Sequence, residues 1–295
     1  MPQGTGLAGH VSPEVSWVRA VVLHSLVGLA LALSLTGCVP PESLDGAVAV
    51  EPSVVTAFRE AITARDKELA DLRAEAAWLR SLVTFQRGES KDSVAITMDD
   101  LETSPALLAI GIAKEKGAPL TLFPTGDAII ANPEWFLEAI AAGFEIGNHT
   151  STHEVLDHLS LAEAEEQIAG WNAIARDKLG YQARFFRPPA KGGWADGKGL
   201  PHLRAAVARQ GLVTVLWDVG TVWALFAEGG PHVKGPEPSP QDVADYVVSM
   251  TRAGSIICLH EAIDTPALPL IIDGLRAKGF RLVTLSELLG CPPGP

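Results

Sequence analysis

Val94-Ala95-Ile96-Thr97-Met98-Asp99-Asp100 is the stretch that decides how this chain folds. The run is apolar but for Thr97, and it ends abruptly in two adjacent carboxylates. A short apolar run bounded by polar residues reads as a strand buried on both faces. Such strands belong to parallel sheets covered by helices. The sequence beyond it keeps the same rhythm. Further strands are predicted at 119–123, 144–146, 184–186, 212–217, 255–259 and 281–283. Helices are predicted between them, near 104–116, 133–142, 160–179, 201–210, 240–253 and 266–278. Ser160 followed three residues later by Glu163 carries the capping signature of a helix start. This alternation implies an α/β fold with about seven mostly parallel strands. A closed barrel and an open sheet both satisfy the pattern.

In either arrangement, sites form at the carboxyl edge of the strands. Asp99, Asp100, His149, Arg187, Asp218 and His260 all fall just after predicted strand ends. His149 and His153 lie four residues apart in Gly147-Asn148-His149-Thr150-Ser151-Thr152-His153. Positions i and i+4 share one face of a helical turn, so both imidazoles can reach one metal ion. The intervening Thr-Ser-Thr forms helix poorly, which predicts a single turn or a tight loop. The Asp99-Asp100 pair can offer one carboxylate to that metal and keep the other as a base. Two imidazoles and one carboxylate leave positions open for water and substrate, the layout of a catalytic site.

Composition bounds the rest. The chain has 295 residues, 47% of them hydrophobic, enough for one large domain with a substantial core. A formal net charge of −12 argues against nucleic acid as a partner. The three cysteines, Cys38, Cys258 and Cys291, form no Cys-x-x-Cys pair, which argues against a Cys-rich zinc site and a disulfide framework and leaves open a Cys258–Cys291 pair in an oxidising compartment beside the reading of two free thiols.

The N-terminal region reads as an address. Ala20 to Leu35 is apolar except for His24, Ser25, Gly28 and Ser34. It falls short of the roughly 20 residues that span a bilayer. It ends in Leu35-Thr36-Gly37-Cys38, which resembles a bacterial lipoprotein box with Cys38 as the lipidated residue. Residues 1–37 are therefore expected to be a lipoprotein signal peptide and 38–52 a Pro-rich tether. The location expected is the cell envelope, anchored to a bacterial membrane and facing out of the cytoplasm. Residues 53–90 contain a helical stretch with Phe58, Ile62, Leu69, Leu72, Leu79 and Val83 in heptad spacing. Two readings stand: a stalk or dimerising coiled coil over residues 54–83, or a helix packed on the catalytic domain.

Five segments line up from residue 91 to 291: Thr97-Met98-Asp99-Asp100; His149 to His153; Phe185-Phe186-Arg187-Pro188-Pro189; Trp217-Asp218 with Trp223; and Leu259-His260. Their order resembles the polysaccharide deacetylases, the NodB-like enzymes of carbohydrate esterase family four. The resemblance implies a distorted (β/α) barrel that removes N- or O-acetyl groups from a polysaccharide such as peptidoglycan or a chitin-like polymer. It implies Asp100, His149 and His153 as ligands of one divalent metal, with zinc favoured and cobalt or nickel compatible. Asp99 would be the general base, Arg187 its ion-pair partner and His260 the general acid. Pro189 and Ala190 would form the acetyl-binding turn, with the Ala190 N–H aimed at the oxyanion. Trp194 and Trp223 would wall the sugar groove, unless they pack in the core.

The chain also departs from that pattern. Leu101 stands where the family commonly has Gly. Ala190-Lys191 stands where an aromatic residue and Gly are common. Val222 replaces the acid that usually orients the catalytic His, and Gly220 replaces another frequent acid. Asp218 survives. Asp218, Glu261 and Asp264 are the candidates to supply the missing carboxylate. A catalytically weak glycan-binding protein, or an amidase acting on a non-sugar amide, are the alternatives.

Overall fold

The computed structural model describes residues 52–81, 83–226 and 237–291. Cys38, the signal segment and the tether lie outside them. The first described element is helix α1, Pro52–Ser81. The chain divides into two units after Lys67, within this helix. The heptad residues Phe58, Ile62, Leu69 and Leu72 are exposed.

The second unit is a parallel α/β assembly. Its strands are β1 Thr84–Phe85, β2 Ser93–Asp100, β3 Leu120–Pro124, β4 Glu145–Ile146, β5 Phe185–Phe186, β6 Val213–Val215, β7 Val219–Gly220, β8 Ile256–His260 and β9 Arg281–Leu282. Helices α2 Ser104–Glu115, α3 Gly126–Ala131, α4 Pro133–Ala141, α5 Leu161–Leu179, α6 Pro201–Arg209, α7 Pro240–Met250, α8 Glu261–Asp264, α9 Leu268–Ala277 and α10 Leu285–Leu288 connect and cover them. One sheet runs β4-β3-β2-β8-β7, with β9 beside the start of β2; the other runs β1-β6-β5. Every strand pair is parallel. Single bridges at Asn148–Phe186 and Arg87–Ser255 tie the two sheets together. The result is a distorted barrel, as the alternation and the family resemblance implied.

Strand β2 is the centre of this assembly. Ser93 through Asp99 are buried, and β3, β8 and β9 all pair with it. Ile96, Met98, Leu120, Leu122, Ile257 and Leu259 are fully buried beside one another. Full burial of one such side chain is worth about 1.5–3 kcal/mol, so the strand is held firmly enough to aim the residues at its end.

The differences from the expected elements are local. Strands β1 and β7 have two residues each, too short for any periodicity to announce. Helix α3 was also not expected. It has six residues and is nucleated by the Thr125 side chain, which accepts the Ala128 N–H at 3.1 Å. The capping box at Ser160 and Glu163 is present at the start of α5. Cys258 and Cys291 are free thiols.

Candidate active site

The carboxyl ends of the strands surround a pocket of about 710 Å³. Asp99, Asp100, His149, His153, Ala190, Lys191, Trp217, Val222, Trp223 and His260 are among its lining residues. Parallel register sets the pairing at its floor. Asp99 on β2 lies opposite His260 on β8, and Thr97 lies opposite Cys258.

The backbone separates the two adjacent carboxylates. Asp99 keeps strand geometry, whereas Asp100 and Leu101 adopt left-handed φ angles of 73° and 63°. Asp100 thereby turns toward the histidines. Its Oδ1 lies 3.5 Å from His149 Nε2 and 3.2 Å from His153 Nε2. This oxygen is buried yet makes no hydrogen bond. His149 Nδ1 pairs with the Arg187 carbonyl at 2.8 Å, which leaves Nε2 for the cluster. Burial works against the Asp100 carboxylate, but the two adjacent imidazoles outweigh it and hold the carboxyl far below its usual range. Three converging donor atoms, the orphaned Asp100 oxygen and two imidazole nitrogens, are what a divalent metal requires. The residues present fit such an ion.

The loop bearing the histidines is fixed from behind. Gly147 is required there, because a Cβ would sit 2.2 Å from the Phe123 ring. Asn148 donates to Ile168 O and Asn172 Oδ1, and its own Oδ1 accepts the Thr150 N–H at 2.9 Å. Thr150 and His153 take left-handed φ angles, 68° and 62°. The pair therefore sits on a pinned loop, within the expectation of one turn or a tight loop. All six non-glycine residues of positive φ among the described residues are Asp100, Leu101, Thr150, His153, Ala190 and Lys191. They cluster at the pocket, where strained backbone commonly concentrates.

Asp99 is enclosed. Arg187 Nη1 donates to its Oδ1 at 2.7 Å, and the Cys258 thiol lies 3.3 Å from Oδ2. Burial pushes the Asp99 carboxyl up, but Arg187, His149 and His260 outweigh that and keep it ionised. Arg187 is itself fully buried, bonded to Thr97 Oγ1, Val215 O and Leu216 O, and stacked on the Phe123 ring at 4.2 Å. A second cluster, Asp99, Cys258 and His260, is also compact enough for a metal. It is not one chemically: burial keeps the Cys258 thiol protonated, and Asp99 is already spent on Arg187.

Three expected residues fall elsewhere. Trp194 is fully buried against Phe186, with its indole N–H donating to Thr84 Oγ1, so it is core and not groove. Pro188 and Ala190 line the pocket, whereas Pro189 is buried behind it. Asp218 borders the pocket, but both its oxygens are engaged, by Ile256 N, Ser255 Oγ and Arg87. It staples β8 to the chain before β2 rather than serving His260. Glu261 is likewise used, accepting from Glu102 N and Thr103 Oγ1.

Asp264 differs from both. It is fully buried, and its Oδ2 accepts the His260 N–H at 2.8 Å and the Thr221 hydroxyl at 2.7 Å. Its Oδ1 and His260 Nδ1 are buried without partners. Trp223, 65% exposed, stands at the pocket mouth. Thr97, Cys258, Lys191 and Tyr246 were not anticipated at the site. Thr97 had a signal in its place before Met98-Asp99-Asp100, and Lys191 in its place one residue beyond Arg187-Pro188-Pro189-Ala190; Cys258 and Tyr246 had none.

Comparison with known proteins agrees with this geometry. A family model described as polysaccharide deacetylase matches residues 86–198. A peptidoglycan-N-acetylglucosamine deacetylase of Bacillus cereus is 30% identical over 217 residues, covering 69% of this chain and 70% of its own length. A chitooligosaccharide deacetylase of Sinorhizobium fredii is 28% identical over 219 residues, covering 68% of this chain and 93% of its own. The chain spans only 31% and 38% of two longer relatives. Among solved structures, a peptidoglycan N-acetylglucosamine deacetylase superposes with a TM-score of 0.63 at 24% identity, over 74% of this chain and 98% of that one, which establishes the shared fold. Fold, site and relatives together place this chain in the polysaccharide deacetylase family.

Proposed function

We propose that this chain is a metal-dependent hydrolase that removes acetyl groups from an extracytoplasmic polysaccharide, peptidoglycan or a chitin-like polymer. The observation that carries the reading is the convergence, in one pocket, of the Asp99–Arg187 ion pair with the orphaned Asp100 oxygen and two histidine nitrogens.

A divalent first-row metal held by Asp100, His149 and His153, zinc by preference, would supply Lewis acidity toward the acetyl carbonyl. The remaining work falls to the chain. Asp99, ionised and unable to rotate away from Arg187, accepts the proton of the attacking water. The Ala190 N–H is the expected donor to the tetrahedral oxyanion. His260, beside Asp99 in register, delivers a proton to the departing nitrogen or oxygen as its bond to the acetyl carbon breaks. Acetate and the deacetylated sugar are the products. Trp223 offers an apolar face to the sugar ring.

A histidine acid needs a group that holds its proton, and Val222 cannot do this. We assign that task to Asp264, because Asp218 and Glu261 are engaged elsewhere while Asp264 already holds the His260 backbone. The altered Gly220 and Val222 positions favour a second reading, a glycan-binding protein without turnover. The intact Asp99–Arg187 pair favours the enzyme. Acetate release from acetylated glycans, measured for wild type and Asp99→Asn, separates the two. The same panel with small non-sugar amides tests the amidase alternative.

A lipid on Cys38 and pairing through residues 54–83 complete the proposal. Membrane fractionation of Cys38→Ser and the oligomeric state of a Leu69→Glu, Leu72→Glu variant test them. No described helix is long and apolar enough to cross a membrane.

A further inference from the structure

The Ala190-Lys191 turn has no part in the mechanism above beyond one backbone N–H, yet it is one of the two stretches of the pocket wall that depart from the family pattern. Lys191 adopts φ 59°, a conformation that Gly takes freely and that residues with a side chain rarely enter. Its ammonium lies 4.4 Å over the Trp217 ring. Among the described residues it meets no carboxylate and makes no hydrogen bond. Burial lowers its pKa, as expected of a cation partly withdrawn from water without a counter-charge.

Trp217 is positioned for this contact by the second unusual residue. A Cβ at Gly220 would sit 2.4 Å from the Trp217 indole nitrogen, so any side chain there would displace the ring. The two departures, Gly220 and Lys191, therefore meet at one indole. The carboxylates that line the pocket face other groups: Asp99 pairs with Arg187, Asp218 with Arg87, and Asp100 turns to the two histidines. Lys191 is the pocket cation that meets no carboxylate among the described residues, its ammonium resting only on the Trp217 ring, on a chain whose formal charge is −12.

We propose that Lys191 is a specificity-determining residue that binds a carboxylate carried by the glycan, on the acetylated sugar or its neighbour. The substrate class is then an acidic acetylated polysaccharide, with the carboxylate supplied either by a lactyl ether, as in muramic acid, or by a uronic acid. The proposal rests on the deacetylase reading only for where the acetylated sugar sits.

The test is binding and turnover by the full-length protein with three tetrasaccharides: neutral N-acetyl chitotetraose, a muramic-acid-containing oligomer with a free lactyl carboxylate, and an acetylated oligouronate. Wild type is expected to bind one of the acidic oligomers about tenfold more tightly than the neutral one. The oligomer preferred names the source of the carboxylate. Lys191→Met and Lys191→Gly, the latter suited to the left-handed backbone, should erase that preference by raising Kd and KM for the acidic oligomer about tenfold. Both should leave binding and kcat on chitotetraose within twofold, and Lys191→Arg should keep most of the preference. Equal wild-type affinity for all three oligomers overturns the proposal. So does an equal fall of kcat on neutral and acidic oligomers in both variants, which would put Lys191 in the reaction itself. Charge-selective binding with no acetate released from any oligomer would leave this proposal standing and remove the deacetylase reading.

Discussion

Asp99 and His260 face each other in register on adjacent parallel strands, so the proposed base and acid are set by the same ladder of backbone hydrogen bonds that builds the sheet. Neither depends on a mobile loop. The proposed metal ligands are arranged differently, on turns at the ends of β2 and β4 that carry the left-handed residues Asp100, Thr150 and His153. The division suggests that proton transfer and metal binding respond separately to mutation.

Arg187→Met should unfold or severely destabilise the protein as well as inactivate it. The substitution leaves Asp99 buried without its cation, a change of about 3–5 kcal/mol in comparable buried pairs. A urea midpoint unchanged from wild type would contradict the role given to this pair.

Trp194→Ala distinguishes core from groove. As a fully buried indole it should lower stability by about 3–5 kcal/mol. Trp223→Ala, by contrast, should leave the melting temperature unchanged and raise KM. Reversed effects would place Trp194 on the substrate after all.

Asp264→Asn should be slower than wild type yet no less stable at neutral pH. Burial raises the Asp264 carboxyl above its ordinary value, with the His260 N–H and the Thr221 hydroxyl opposing it. A raised carboxyl stabilises the fold when protonated, at low pH, and loses that contribution as pH rises through the raised value. The variant does not titrate, so its stability relative to wild type should improve from about pH 4 toward pH 7. Activity should fall by part of the roughly 10²–10⁴-fold that general acid catalysis supplies. Adding Val222→Asp should restore some of it. Full activity in Asp264→Asn would remove Asp264 from the acid side of the site.

The sequence disclosed the parts whose signal is local. The apolar run into Asp99-Asp100, the four-residue spacing of His149 and His153, and the capping box at Ser160 were all legible. It could not say which carboxylate would turn toward the histidines from spacing alone, because that depends on the left-handed backbone at Asp100. Trp194 stayed open between groove and core because a Trp directly after a glycine pair reads the same in either; Phe186 and Thr84, which it meets only in the fold, decide it. The choice among Asp218, Glu261 and Asp264 likewise rested on partners far away in the chain. Lys191 stood in plain view, but its importance depends on Trp217 and on the space that Gly220 leaves.

The most direct measurement is metal content together with acetate release, made on the same preparations of wild type, Asp99→Asn and His153→Ala. Wild type should hold about one divalent ion per chain and release acetate from an acetylated glycan. Asp99→Asn should keep the ion and lose most of the release, because the base is gone and the ligands are intact. His153→Ala should lose both, since two ligands make a poor site. Wild type that carries its metal but releases no acetate from any acetylated glycan, or Asp99→Asn that works as well as wild type, would contradict the account.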